Sequence, residues 1–273
     1  MDNRLKDRVA IITGASSGLG AATAQRFASL GARIICADLT PSTLPSTLNA
    51  THGPNTATFI SCDVTNETQI QQLIAQAVEF GHGRIDILCN YAGVAVETYE
   101  RNAMTRRAHE LPTEDFDWEM SVNLRGTYLC CKYALRQMLE GQDPREVNAR
   151  GERTRGWIVN AASMLDTGLI AHPNTPAYTT SKHAVVGLTK QLALDYAPDR
   201  IHINCVCPGF VQTPMIQHFL TDADNAAQLA GAHPWGALGT PRDVADAAVF
   251  LCGDESAWMT GHAMVVDGGY TIR

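Results

Sequence analysis

The stretch RVAIITGASSGLG, residues 8–20, decides the fold of this chain. Residues 8–13 form a nearly continuous apolar run, which is the pattern of a strand buried on both of its faces. The glycine-rich segment 13–20 follows, and residues 21–28 have the composition and the period of a helix. A strand, a glycine-rich turn and a helix in this order predict the first βα unit of a parallel α/β sheet.

The glycines of this turn have separate tasks if it binds phosphate. Gly14 permits the tight turn, Gly18 lets the backbone approach a pyrophosphate, and Gly20 allows the helix to pack closely on the strand. The helix N-terminus then presents free N–H groups and a partial positive charge to the phosphates. A glycine turn without a ligand is the alternative interpretation. The motif predicts dinucleotide contacts at Gly14, Ser16, Ser17, Gly18, Leu19 and Gly20.

Asp38 is the candidate that selects the dinucleotide. It ends the second predicted strand, residues 32–37, and lies 18 positions after Gly20 (38 − 20 = 18). A carboxylate there accepts both hydroxyls of an adenosine ribose and repels a 2′-phosphate. No Arg or Lys occurs at positions 39–41, so we expect NAD in preference to NADP, with Leu39 as an adjoining contact. The rival interpretation of Asp38 is a turn residue or helix N-cap.

Further strands alternate with helices along the chain. Short apolar runs occur at 57–62, 85–89, 157–162, 202–207 and 263–266. This alternation predicts a doubly wound α/β domain with a parallel sheet, whose ligands bind beyond the carboxyl ends of the strands. Since no linker or repeat divides the chain, residues 1–273 are expected to form a single dinucleotide-binding and catalytic domain. The strand ends predict cofactor contacts at Cys62, Asp63, Val64, Asn90, Ala92, Gly93, Pro208, Gly209, Val211 and Thr213.

Two helices and three polar segments complete the prediction. Thr65 is expected to cap a helix that ends near Phe80, and a long helix is expected from Asp115 to about Glu140. The segments of about 97–114 and 141–156 are polar and are interpreted as solvated insertions. The segment of about 214–240 has the composition of a lid over a site.

Tyr178 and Lys182 are the candidate proton-transfer pair. Residues four apart on a helix are neighbours on one face. The nearby cation favours the phenolate form, which accepts a proton. By itself the pair is a weak signal, because an amphipathic helix with a snorkelling lysine has the same spacing.

Composition excludes several classes of protein. The chain has 45% hydrophobic and 18% charged residues, values of an ordinary globular protein. Its formal charge of −7 and the absence of a Lys/Arg cluster argue against nucleic acid or an anionic membrane as a partner. The eight cysteines show no metal-binding spacing and are expected to be buried thiols, so no metal is predicted. Without a targeting segment, the expected location is the cytoplasm.

The motifs, taken together in this order and spacing, resemble those of the classical short-chain dehydrogenase/reductase family. They are Thr13-Gly14-x-x-x-Gly18-x-Gly20, Asn90-x-Ala92-Gly93, Asn123, Ser163, Tyr178-x-x-x-Lys182 and Pro208-Gly209. The resemblance extends from about Leu5 to Tyr270. It implies a Rossmann-type fold with a seven-stranded parallel sheet flanked by helices, and a homotetramer or dimer.

The resemblance also implies a catalytic tetrad of Asn123, Ser163, Tyr178 and Lys182. Tyr178 would be the general acid in reduction and the general base in oxidation. Ser163 would hydrogen-bond the carbonyl or alkoxide oxygen. Lys182 would also hold the nicotinamide ribose, Asn123 would fix a water that supplies protons, and Thr213 would contact the carboxamide.

Two departures from the family pattern concern the substrate side. Tyr91 occupies a position that is commonly Asn, so a structural hydrogen bond near the central sheet is expected to be replaced. The loop from Ser163 to Tyr178 is slightly longer than usual and carries Met164, Asp166 and His172. Asp166 would contact a cationic or polar substrate group or would be a solvated loop carboxylate. The predicted substrate contacts are Ser163, Met164, Asp166, Tyr178 and Trp235.

We therefore predict an oxidoreductase that transfers a hydride between NAD(H) and a secondary alcohol or ketone. The expected substrate is a small, moderately apolar, cyclic organic molecule. Two alternatives stay open: a non-redox isomerase or cyclase on the same fold, and a dinucleotide-binding sensor without catalysis.

Overall fold

The computed structural model describes residues 4–98, 107–145, 150–166, 171 and 173–272. Its strands form one seven-stranded sheet in which every pairing is parallel, in the order β3-β2-β1-β4-β5-β6-β7. The predicted fold class is therefore confirmed. The strands are β1 (Val9–Thr13), β2 (Arg33–Asp38), β3 (Ala57–Ser61), β4 (Ile87–Asn90), β5 (Gly156–Ala161), β6 (Ile201–Pro208) and β7 (Ala263–Val266).

Helices cover both faces of this sheet. Alternate residues of β1 enter different cores: Ala10 and Ile12 pack with the helices of residues 18–29, 44–52 and 241–251, whereas Val9 and Ile11 pack with those of residues 67–80 and 127–140. This two-sided burial explains why β1 is apolar from Val9 to Ile12. The helices are α1 (Gly18–Ser29), α2 (Leu44–His52), α3 (Glu67–Phe80), α4 (Thr113–Met120), α5 (Thr127–Glu140), α6 (Pro176–Tyr196), α7 (Gln217–Leu220), α8 (Ala223–Gly231) and α9 (Pro241–Leu251).

The predicted helix 115–140 is interrupted. A π-helical turn, Ser121–Gly126, separates α4 from α5. The side chain of Asn123 on this turn bonds to the backbone of Val94, and Gly126 packs so closely on Val64 that a Cβ would lie 2.8 Å from Val64 Cγ2. These tertiary contacts favour the wider turn, which sequence periodicity does not reveal.

The N-terminus of α3 also differs from the prediction. Asn66, not Thr65, is the N-cap, and its side chain accepts the N–H of Gln69 at 3.2 Å. Thr65 instead donates its N–H and its hydroxyl to Asp63 Oδ1. Asn and Thr are both common N-cap residues, so the sequence does not distinguish the two neighbouring positions.

The second insertion is less solvated than predicted. Its Arg145 donates to both carboxylate oxygens of Asp86, at 2.8 and 2.6 Å, and Asp86 is fully buried at the start of β4. Arg84 and the N–H of Val9 donate to the same carboxylate. Burial alone would raise the pKa of Asp86, but the bonds from Arg145 and Arg84 lower it. Arg145 thus fixes the insertion to the amino edge of the sheet.

All eight cysteines are buried free thiols. In the described ranges, no helix has the length and hydropathy that crossing a bilayer requires, and no group of side chains there has the arrangement of a metal site.

Replacing Arg145→Met should destabilise the fold by about 3 kcal/mol, because it leaves a buried carboxylate with one arginine partner. Urea unfolding at neutral pH measures this loss. The control is Arg136→Met, which breaks an exposed pair with Glu140 and should cost about 0.5 kcal/mol or less.

The stabilisation by Asp86 should depend on pH and should be weaker in acid. Since the folded-state pKa of Asp86 is lowered, its contribution is present at neutral pH and is lost as the pH falls through the acid range. The difference in free energy of unfolding between the wild type and Arg145→Met should therefore become smaller at acid pH. Equal stability of the two variants at neutral pH would contradict a structural role for Arg145.

Candidate active site

An elongated groove follows the carboxyl edge of the sheet where β1, β2, β3 and β4 end. Its cavity has a volume of about 350 Å³. The position agrees with the rule that ligands of open α/β sheets bind beyond the strand ends, where the strand order reverses. Of the predicted cofactor residues, the groove is lined by Gly14, Ser17, Gly18, Leu19, Gly20, Asp38, Leu39, Cys62, Asp63, Val64, Ala92, Gly93 and Thr213.

The glycine turn fits a dinucleotide phosphate. Gly14 and Gly18 have φ values of +66° and +52°, which L side chains rarely adopt. A Cβ on Gly20 would collide with the carbonyl of Gly14, so the helix can approach the strand only without a side chain there. Ser17 is the N-cap of α1 and makes no side-chain cap, and the first turn carries no acidic residue. The first-turn N–H groups therefore have no carboxylate competitor for a phosphate.

Asp38 lies half-buried on the groove wall at the end of β2. Its Oδ2 accepts the N–H of Ser16 and its Oδ1 accepts the N–H of Thr40, both at 3.0 Å. These bonds place the carboxylate rigidly beside the glycine turn. Ser16 supports Asp38 in this way and does not line the cavity, so its direct contact with the cofactor stays a prediction.

Asn90 does not reach the groove either. It is 4% exposed, and its Nδ2 donates to Asn160 Oδ1 at 2.9 Å inside the sheet. Asn160 Nδ2 donates in turn to Thr189 on α6. The Asn90 side chain thus links β4, β5 and α6 and does not line the groove, so the cofactor contact predicted at this position stays a prediction for its backbone.

Tyr91 contributes its backbone to the neighbouring turn. The N–H groups of Tyr91 and Ala92 both donate to Thr13 Oγ1 at 3.1 Å. The side chain packs against the core cluster of α1 and α9, and burial raises the pKa of its phenol well above the ordinary value. This phenol is therefore a packing group and not a second acid or base.

A second cavity of about 150 Å³ adjoins the groove and shares Leu19, Tyr91, Gly93, Thr213 and Met215 with it. Three tetrad residues, Ser163, Tyr178 and Lys182, line it together. Pro208, Gly209 and Val211 line this cavity and not the dinucleotide groove. The groove therefore lies directly beside a small chamber that Ser163, Tyr178 and Lys182 line.

Tyr178 and Lys182 occupy the first two turns of α6 and face the chamber. Lys182 is 6% exposed, and its Nζ donates to the carbonyl of Ala161 at 2.8 Å. The same ammonium lies 5.6 Å from the centroid of the Tyr178 ring. Ser163 follows β5, and its Oγ accepts the N–H of Leu165 at 3.3 Å. A charge near the phenol and a hydroxyl across the chamber are the elements of general acid–base chemistry on an oxygen.

Asn123 is buried behind this pair. Its Oδ1 accepts the N–H of Val94, and its Nδ2 lies within 3.1 Å of acceptors on Val94, Glu119 and Ser181. The side chain thus joins the π-helical turn to α6 and to the segment after β4. A water molecule at Asn123 would have to bind an oxygen lone pair that these hydrogen bonds do not use.

Two buried acids of the site were missed by the sequence analysis. Glu97 is 1% exposed, although residues 97–114 were interpreted as a solvated insertion. Glu119 is fully buried and lies in the helix predicted from Asp115 to about Glu140. Glu97 lines the chamber. For Glu119 a signal existed: it lies four positions before Asn123, on the same helical face. For Glu97 no local signal exists, because its partners are 80 and 81 residues away.

The substrate contacts are only partly as predicted. Met164 lines the chamber, but Trp235 is 82% exposed and does not. The side chain of Asp166 and all of His172 lie outside the described residues. From the predicted lid, the apolar side chains that line the chamber are Met215, Ile216 and Phe219, with Phe210 beside them. Trp235 was predicted because it lies in the lid-like segment, and its substrate contact stays a prediction; the described lid residues that line the chamber come from the start of that segment.

Comparison with known proteins agrees with this geometry. Residues 14–271 match a family model described as enoyl-(acyl carrier protein) reductase. The 2-(R)-hydroxypropyl-CoM dehydrogenase of Xanthobacter autotrophicus is 40% identical, over 97% of this chain and 98% of that protein.

Two further relatives cover nearly the whole chain. The 2,5-dichloro-2,5-cyclohexadiene-1,4-diol dehydrogenase of Sphingobium indicum is 34% identical over 98% of each chain. The ligand-free structure of the aldohexose dehydrogenase of Thermoplasma acidophilum superposes with a TM-score of 0.82 at 32% identity, covering 100% of this chain and 97% of that one.

The family model, these relatives and the parallel seven-stranded sheet agree with one another. The family consists of oxidoreductases that use NAD(P) cofactors. This chain belongs to the short-chain dehydrogenase/reductase family.

Proposed function

We propose that this protein transfers a hydride between NAD(H) and a secondary alcohol or ketone of a small, moderately apolar, cyclic molecule. The observation that carries the proposal is the position of Tyr178, Lys182 and Ser163 on one chamber that opens into the dinucleotide groove. A sensor without catalysis has no need for this pair beside the groove, and an isomerase has no need for a hydride carrier.

The residues divide the chemistry among themselves. The bound nicotinamide supplies or accepts the hydride. Tyr178 gives a proton to the carbonyl oxygen in reduction and removes it in oxidation, and the Lys182 ammonium stabilises the phenolate between these events. Ser163 donates a hydrogen bond to the oxygen on which charge develops. Asn123 holds α6 and the segment after β4 in register, and we propose that it also contacts the water that resupplies the proton.

The charge of the groove supports NAD over NADP. Each Asp38 oxygen accepts one backbone N–H and has capacity for a ribose hydroxyl. The carboxylate repels a 2′-phosphate, and no Lys or Arg is among the described residues that line the groove. Leu39, next to Asp38, is 64% exposed and offers the adenosine an apolar contact only.

The chamber supports an apolar substrate with a single reacting oxygen. Its walls carry Met164, Leu165, Phe210, Ile216 and Phe219. The ionisable groups among the described residues that line it are Tyr91, Tyr178, Lys182 and Glu97. A volume of about 150 Å³ suits a compact ring better than an extended chain. The name of the Sphingobium relative specifies a cyclic diol as its substrate.

Location and assembly follow as further parts of the proposal. We propose a cytoplasmic homo-oligomer, a tetramer or a dimer, with the segment 214–240 as the lid of the chamber. The exposed aromatic side chains Trp118 and Tyr128, 46% and 45% exposed on α4 and α5, are suited to a contact between copies of the chain.

Replacing Tyr178→Phe should reduce turnover by about 10²–10⁴-fold, because the proton donor and acceptor is removed. Affinity for NADH should stay within about twofold, since no charge or volume changes beside the cofactor. Turnover of a panel of cyclic secondary alcohols and ketones, followed by NADH absorbance with both cofactors, measures the first effect.

The matched control is Tyr196→Phe, at the far end of the same helix, about 27 Å along its axis. It should keep full activity. Unchanged turnover in Tyr178→Phe would refute the assignment, and product formation without any change in NADH absorbance would favour an isomerase.

Replacing Asp38→Ala should weaken binding of NAD by about tenfold and leave binding of NADP unchanged or tighter. Fluorescence titration with NADH and NADPH measures both affinities. Asp38→Asn, which keeps the size and one acceptor, separates the charge from the bonds to Ser16 and Thr40. A preference of the wild type for NADP would contradict the role of Asp38.

A further inference from the structure

Two buried glutamates lie between the site and the protein interior, on different elements. Glu97 follows β4 and is 1% exposed, and Glu119 is on α4 and is fully buried. Carboxylates are rarely buried unless a partner compensates the cost of leaving water. Their partners therefore indicate what they do.

Glu97 takes the place of a cap at the start of α6. Its Oε1 accepts the N–H groups of Ala177 and Tyr178, at 2.9 and 3.2 Å. The local N-cap, Thr175, makes no side-chain cap, and Pro176 has no N–H to satisfy. A negative charge at a helix N-terminus is stabilised by the helix dipole. Glu97 thus fixes the turn that carries Tyr178.

Glu119 binds the other side of the same segment. Its Oε2 accepts the N–H of Val96 at 2.9 Å, and its Oε1 accepts the Nδ2 of Asn123 at 3.1 Å. Because Val96 directly precedes Glu97, the two buried carboxyls are neighbours, and the Glu97 carboxyl raises the pKa of Glu119 as a hydrogen-bond partner would. Two ionised carboxylates cannot form such a bond, because neither has a proton to donate.

One proton resolves the conflict. Glu97 Oε2 is buried and accepts no hydrogen bond from the described residues. A protonated Glu119 would donate a hydrogen bond to this oxygen. Burial is the largest cause that raises the pKa of Glu119 to about 8, and the charge of Glu97 adds to it. The hydrogen bond from the Val96 N–H and the charge of Lys182 lower this pKa and offset part of the rise. The charged groups that face Glu119 are thus Glu97 on the segment after β4 and Lys182 on α6.

We propose that Glu119 is a positioning residue, a neutral carboxylic acid that donates a hydrogen bond to the Glu97 carboxylate and so fixes Tyr178 for proton transfer. The two carboxyls share one proton, as like charges in contact do. Glu119 touches neither the chamber nor the groove and acts through Glu97 and Asn123. The proposal rests on the proposed role of Tyr178.

The shared proton makes the site sensitive to alkaline pH. Loss of the proton puts two charges in contact and removes the donor to Glu97, so the start of α6 loses its anchor. Because the folded-state pKa of Glu119 is raised, its proton contributes fully to the free energy of unfolding below the unfolded-state pKa. This contribution is lost as the pH rises from about 4.5 to about 8.

The test compares Glu119→Gln and Glu119→Ala with the wild type. The amide keeps a donor to Glu97 without an ionisable proton, whereas alanine removes the donor. Glu114→Gln, on the exposed face of the same helix, is the control and should leave activity unchanged. The rate of alcohol oxidation is followed against pH, because loss of the Glu119 proton then gives an alkaline limb.

We expect the wild type to show an alkaline fall in kcat near pH 8, with KM for NAD unchanged. Glu119→Gln should lose this fall and retain turnover at neutral pH within about tenfold, and Glu119→Ala should lose about a hundredfold in kcat. An alkaline limb that persists in Glu119→Gln overturns the proposal, as does equal turnover of the alanine and glutamine variants.

A second measurement is independent of turnover and of the folding of the alanine variant. The thermal midpoint of the wild type, relative to that of Glu119→Gln, should fall as the pH rises from about 5 to about 8 and then level off. A constant difference overturns the shared proton even if the enzyme turns over as proposed. The expected fall without any turnover would instead contradict the proposed function and leave the carboxyl pair intact.

Discussion

The position of β1 between β2 and β4, with both faces covered by helices, is the constraint on which the rest of the structure depends. In a parallel sheet each strand returns through a crossover on one face, so all carboxyl ends meet at one edge. Here that edge collects the glycine turn after β1, Asp38 after β2 and Ser163 after β5. Strand pairing thus brings residues that are 125 positions apart (163 − 38 = 125) to the same edge of the sheet.

Buried polar chains then fix this edge more closely than apolar packing would. Asn90, Asn160 and Thr189 form one chain that joins β4, β5 and α6. Asn123 and the two glutamates form another, which joins α4, the segment after β4 and α6. Hydrogen bonds have strict geometry, and a broken one leaves a costly buried group. Both chains end on α6, the helix that carries Tyr178 and Lys182.

The opposite edge of the sheet has a different task. There the buried carboxylate of Asp86 binds Arg84, Arg145 and the N–H of Val9. An ion pair of this kind joins an insertion to the sheet far from the chemistry. Charged groups that stabilise the fold and those that serve the site are thus separated by the length of the strands.

The sequence by itself determined the strands, the glycine turn, Asp38 and the Tyr178–Lys182 pair, because each depends on local pattern: apolar periodicity, backbone freedom, or spacing along one helix. It did not show that the Asn90 side chain lies within the sheet or that Trp235 is exposed, and it overlooked Glu97 and Glu119. Strand-end position does not tell whether a side chain points into the sheet or the groove, and size does not tell which way a lid residue faces. Only the tertiary structure decided these orientations and the partners of the two buried acids. The partners of a buried polar group depend on packing between segments far apart in the chain, which the local sequence pattern does not indicate.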